Sequence, residues 1–88
     1  EYVRKAEQWI EQERDMSRAA TYLTKAIRLD PLCVEAHLLL GFVYGRMGKY
    51  ELAVAQLNEA LELDPHHEAA VKLKDELLLE WNQHRNRL

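Results

Sequence analysis

Eighty-eight residues carry 12 Lys and Arg against 15 Asp and Glu, a formal net charge of −3, which lacks the basic footprint of phosphate binding and argues against a nucleic-acid partner. The single cysteine, Cys33, excludes an intrachain disulfide. No apolar run approaches the ~20 residues of a membrane span and no signal-peptide pattern opens the chain, so a soluble, cytoplasmic domain is expected, with targeting from segments outside this sequence left open.

The chain begins at Glu1 rather than Met and reads as a fragment of a longer protein. Five helices are predicted. The first covers about 2–13 and runs into "ERDM" (13–16), where Asp15 or Ser17 can cap the second helix, about 17–29. Pro31 cannot continue a helix and disfavours helical geometry in the residue before it, so the second helix stops near Leu29. The third, about 35–47, contains the most apolar run of the chain, "HLLLGFVYG" (37–45), and Gly48 supplies the turn after it. The fourth covers about 51–63 and is stopped by Pro65; the fifth covers about 68–86.

The chain repeats itself at an offset of 34 residues, where "AATYLTKAIRLDP" (19–31) aligns with "AVAQLNEALELDP" (53–65). Ala19/Ala53, Leu23/Leu57, Ala26/Ala60, Leu29/Leu63, Asp30/Asp64, Pro31/Pro65 and Ala36/Ala70 are identical at that offset. A period of this length with few helix breakers points to stacked helical hairpins.

The pattern resembles the tetratricopeptide repeat (TPR) family, whose motif runs W-x2-L-G-x2-Y, then Ala, an aromatic, Ala and Pro. The central unit supplies His37 in place of Trp, then Leu40, Gly41, Tyr44, Gly48, Tyr50, Ala53, Leu57 for the aromatic, Ala60 and Pro65. The first unit keeps Ala19, Leu23, Ala26 and Pro31, but Ala6 and Glu7 stand where Leu and Gly would, and Ile10 replaces Tyr. The third unit has only a first helix, with Lys74 and Asp75 at the Leu-Gly pair, and is similar to the helix that caps such arrays. The resemblance implies an all-α fold: a right-handed superhelical stack of antiparallel helix hairpins, with units at about 1–33 and 34–67 and a capping helix at about 68–87.

"HLLLGFVYG" is apolar all round, whereas a surface helix needs one apolar stripe. His37, Leu40, Gly41 and Tyr44 are spaced to pack on the fourth helix, while Ala36, Val43 and Met47 should meet the helix ending at Leu29. Leu38, Leu39 and Phe42 remain, continued by Gly45 and Arg46. The resemblance puts this third face in the concave groove that the first helices of TPR hairpins line. The same side would present Arg4, Lys5 and Gln8 on the first helix and Lys72, Leu73 and Glu76 on the fifth. The expected groove has an apolar floor (Leu38, Leu39, Phe42, Leu73), cationic flanks (Arg4, Lys5, Arg46, Lys72) and a notch at Gly45. It suits a peptide or amphipathic helix with apolar anchors and acidic flanks. The alternative is that neighbouring helices cover Leu38 and Leu39, leaving only Phe42 partly exposed.

Function is therefore expected to be that of a non-catalytic protein–protein interaction adaptor. A structural self-assembly module, a homo-oligomer through exposed helices, is the second reading, since two hairpins and a cap fall short of the usual three repeats. The chaperone-tail clamp of some TPR domains would fall on Arg4, Gln8, Leu39, Ala69 and Leu73; only Arg4 could serve. No cofactor or metal is expected: His66 and His67 are adjacent and point apart, and neither H-x3-5-H nor C-x2-C occurs. Gly41 and Gly45 are read as close-packing positions, and Cys33 as a small packed residue. Trp81 is expected to pack against Leu77 and Leu78, while Trp9, with Tyr2 nearby, suits either core or a face continuing into further repeats. No nucleophile–base pair, phosphate loop or convergent carboxylate pair is present.

Overall fold

In a computed structural model, residues 2–11 and 15–86 are described, with the side chains of residues 9–11 left aside, so the question of Trp9 and the Ile10 substitution lies outside the described residues. Five helices follow one another: α1 Tyr2–Glu11, α2 Met16–Leu29, α3 Val34–Arg46, α4 Tyr50–Leu63 and α5 Glu68–Asn86. No strand occurs among the described residues.

Local chemistry sets the helix ends. Asp15 is the N-cap of α2: its carboxylate accepts from the Arg18 N–H at 3.1 Å and lies 3.8 Å from the Arg18 guanidinium. Asp30 and Asp64 close α2 and α4 alike, their N–H groups donating to Ala26 and Ala60 carbonyls at 2.9 Å before each proline turns the chain. Gly48 adopts a positive φ of 76°, a left-handed conformation that costs glycine nothing. The Lys49 N–H then reaches back to the Tyr44 carbonyl at 2.9 Å, and α4 starts antiparallel to α3. His67, one half of the histidine pair, accepts the Ala70 N–H on Nδ1 at 3.2 Å and so caps α5.

α1 pairs with α2 and α3 with α4; α2 then packs on α3 and α4 on α5, while α1, α3 and α5 meet along one side. The slab measures 39 × 31 × 18 Å. Its interior depends on small residues that let helix axes approach: Ala6, Ala19, Ala36, Ala53, Ala60 and Ala70 are all fully buried. Leu23, Leu57 and Val43 are the largest side chains completely enclosed. Gly41 is a close approach within the α3–α4 hairpin, since a Cβ there would stand 2.9 Å from Leu57 Cγ and 3.2 Å from the Ala53 carbonyl oxygen.

Ala36, Val43 and Met47 pack with Ala19 and Leu23 of α2, as the spacing predicts. Leu40 differs from expectation. It joins that same cluster with Ala6 and Leu23 instead of lying on α4, because on the α3 wheel it falls between Ala36 and His37 and nearer Ala36. His37 does face α4. Its ring is buried, with Nδ1 2.9 Å from Gln56 Oε1 and Nε2 2.9 Å from the Pro31 carbonyl oxygen.

Trp81 also departs from expectation. Leu78 is 41% exposed and offers no core, and Trp81 is half-buried at the start of α4, near Tyr50 and Leu52. Arg85 stacks over its ring at 5.5 Å. The α5 face that enters the core ends at Leu77, and Trp81, one turn later, lies beside Tyr50 and Leu52 at the first turn of α4.

Candidate functional site

The third face of α3 lies on the side where α1, α3 and α5 meet. Leu38, Leu39 and Phe42 are all half-buried, so neither full exposure nor full cover describes them. Leu39 and Phe42 rest on the α1–α2 core cluster, whereas Leu38 and Leu73 rest on the α4–α5 cluster. Their remaining surface opens into a hollow of about 380 Å³, lined by Leu38, Leu39, Phe42, Ala69, Lys72, Leu73 and Glu76. A second hollow of about 440 Å³ adjoins it through Phe42, Leu73 and Glu76, and is completed by Gly45, Arg46, Tyr50, Leu77 and Glu80. Eight of the groove residues read from sequence are thus brought together: Leu38, Leu39, Phe42, Gly45, Arg46, Lys72, Leu73 and Glu76.

The α1 contribution is different. Arg4, Lys5 and Gln8 are exposed but line neither hollow. The Lys5 ammonium sits 5.8 Å above the Tyr22 ring of α2, where a cation–π contact holds it away from the floor. The cationic flank is accordingly thinner than the sequence implied.

Gly45 is not an open notch. It is buried, and a Cβ would stand 2.5 Å from Leu77 Cδ2, so the space left by the missing side chain is filled by α5. The leucine that fills it was not part of the groove read from sequence.

Glu80 and Tyr50 were missed as well. Glu80 follows Glu76 by one turn on the same face of α5, a signal the i, i+4 spacing carries. The groove wall is therefore mixed: Lys72 and Glu76 line the first hollow, and Arg46 lines the second together with Glu76 and Glu80.

Among the described residues, no group of three or more His, Cys, Asp or Glu is placed to hold a metal. Cys33 is half-buried at the N-cap of α3, against the first core cluster. No described helix is long and apolar enough to cross a membrane.

Residues 34–67, from the start of α3 through α4 to the turn before α5, match the family model described as tetratricopeptide repeat. Among curated proteins no sequence matches the chain. Such repeats are typical of protein–protein interaction scaffolds and are generally non-catalytic. The match falls on the hairpin in which Gly41 meets Leu57 and Ala53, the close approach that the Leu-Gly pair of the motif exists to permit. Residues 34–67 are thus similar to a tetratricopeptide repeat, and they lie within an all-α stack of helical hairpins consistent with that likeness.

Proposed function

We propose that this chain is a non-catalytic adaptor whose concave side seats a short amphipathic segment of a protein partner. The observation that carries the reading is the gathering of Leu38, Leu39, Phe42 and Leu73 over one hollow, each partly uncovered in the middle of the stack. Large apolar side chains left uncovered together favour a partner over water. TPR-type stacking supports the reading by lining this side mainly with first helices.

Charge refines the partner. Lys72 favours an acidic residue beside the apolar anchors, while Glu76 and Glu80 favour a basic residue toward the C-terminal end of α5. Lys72 and Glu80 are separated along α5 by about 12 Å, roughly two helical turns. A bound helix would therefore carry its acid and its base about two turns apart, with apolar anchors between.

Selection from a displayed random-peptide library tests this. The expected winners carry apolar anchors with an acidic end and a basic end, and bind the wild-type chain with micromolar affinity. Phe42→Glu, once circular dichroism has verified that it keeps its helices, should weaken them at least about tenfold, equivalent to ~1.4 kcal/mol. Binding that survives unchanged in a folded Phe42→Glu chain would remove the groove from the account.

A further inference from the structure

α2 and α4 hold equivalent places in successive hairpins, yet their charges are opposite. α2 (MSRAATYLTKAIRL) contains Arg18, Lys25 and Arg28 and no acid. α4 (YELAVAQLNEALEL) contains Glu51, Glu59 and Glu62 and no base. The repeat offset of 34 places Glu59 at the position of Lys25 and Glu62 at that of Arg28. All four are exposed.

These charges are only partly used inside the molecule. Asp15 pairs with Arg18, and Lys25 leans its ammonium over the Tyr2 ring at 5.9 Å. Among the described residues, no ion pair within 4.0 Å engages Lys25, Arg28, Glu51, Glu59 or Glu62. α2 and α4 do not touch each other. Beside α2 opens a hollow of about 410 Å³ lined by Thr21, Thr24, Lys25, Arg28, Tyr44 and Lys49 among others, and no acid lines it. The side of the stack opposite the groove thus carries a basic stripe next to an acidic one.

We infer that this side is covered by a second copy of the chain, with α2 of each molecule lying on α4 of the other. One rotation does this. A two-fold axis running parallel to the helices, midway between α2 and α4, sets each basic stripe over an acidic one and closes the pair as a dimer. An axis across the helices would instead set α2 on α2 and α4 on α4, like charge on like. Leu29, Leu52 and Leu63, which are 75%, 49% and 37% exposed on the same two helices, add apolar area to the contact.

Size sets its strength. Two helices of 14 residues, each about 21 Å long and side by side, present roughly 400 Å² per molecule. A standard interface buries about 800 Å² per partner, so this dimer is weak and transient. It is also salt-dependent, because the exposed charges that specify it are screened within about 3 Å at 1 M salt but reach about 30 Å at 0.01 M.

Sedimentation equilibrium to near-millimolar protein at about 0.01 M and about 1 M salt reads the association. The wild-type chain should dimerise at low salt, with at least about a tenfold weaker constant at high salt. Two folded double variants give the sharper result. Lys25→Glu/Arg28→Glu makes both stripes acidic, and Glu59→Lys/Glu62→Lys makes both basic, so each alone should be monomeric. Mixed in equal amounts they should form a heterodimer, since each now offers the other two complementary stripes. All four positions are exposed, and circular dichroism checks that both variants keep their helices. A wild-type chain that stays monomeric at low salt, a double variant that dimerises as well alone as the wild type, or a mixture that does not associate would each overturn the proposal.

Discussion

The two hairpins are built on one 34-residue pattern, but they close in different ways. In α3–α4 the bulky residue precedes the small one: Leu40 fills the cluster and Gly41 admits Leu57 and the Ala53 backbone. In α1–α2 the equivalent pair is Ala6 and Glu7, so the small residue sits where the bulky one would, and Ala6 is fully buried. Glu7 stays half-buried at the glycine position. The first hairpin therefore lacks the glycine that permits the approach seen at Gly41. α3 buries six residues, from Ala36 to Gly45, and is covered on both sides by α2 and α5. α1 borders only α2 and α3. The lesson is that one repeat pattern can tolerate a weak terminal member when the neighbouring member supplies the tight contacts.

The largest expected effect probes the two cores directly. Leu57→Ala, at a completely buried site, should cost about 2–5 kcal/mol and melt the whole stack in thermal unfolding followed by circular dichroism. Leu23→Ala removes the same atoms from the other cluster and should cost a similar amount. The difference lies in how it is felt: amide hydrogen exchange should show α1 and α2 losing protection while α4 and α5 keep theirs. Equal loss along the chain would mean that the hairpins do not differ in the way described.

A smaller effect tests the Leu-Gly position itself. Gly41→Ala forces a methyl against Leu57 and a backbone oxygen, and should cost about 1–3 kcal/mol through overpacking. Glu7→Ala at the equivalent place in α1 should change stability by no more than about 0.5 kcal/mol, since alanine favours helix and nothing clashes. Denaturant midpoints at unchanged slope would measure both.

The smallest effects concern the caps. Asp15→Ala should cost about 1 kcal/mol by freeing the Arg18 amide, a drop of about 4–8 °C in Tm for a domain of this size. α4 has no side-chain cap at Lys49, so Lys49→Asp should stabilise it by about 0.5–1 kcal/mol. Lys49→Asp alone would bring the start of α4 to the standard α2 already meets.

Much of this was legible in the sequence. Prolines 31 and 65 and Gly48 marked the turns because their backbone constraints act locally, and the observed helices start and stop within two residues of expectation. The exception is the end of α1, expected near residue 13, where residues 12–14 lie outside the described residues. The groove floor on α3 and α5 was legible because helical spacing fixes which side chains share a face. What spacing cannot give is the direction a long side chain takes after its Cβ, so Lys5 turned to Tyr22 and thinned the flank. Nor can one helix reveal what its neighbour inserts, which is why Gly45 read as an open notch until Leu77 was found in it. The opposite charges of α2 and α4 were present in the letters throughout. They acquired meaning only when the two helices were seen to be exposed and out of contact with each other.

The fit of Leu77 into Gly45 has one more consequence. It acts as a key for the translation of α5 along α3. Sliding α5 by one residue would bring Glu76 or Leu78 to the glycine at the wrong angle, leaving either a buried charge or an empty space. The last helix can therefore settle in one position only, and the end of the array is indexed by a single side chain instead of by the length of its surface.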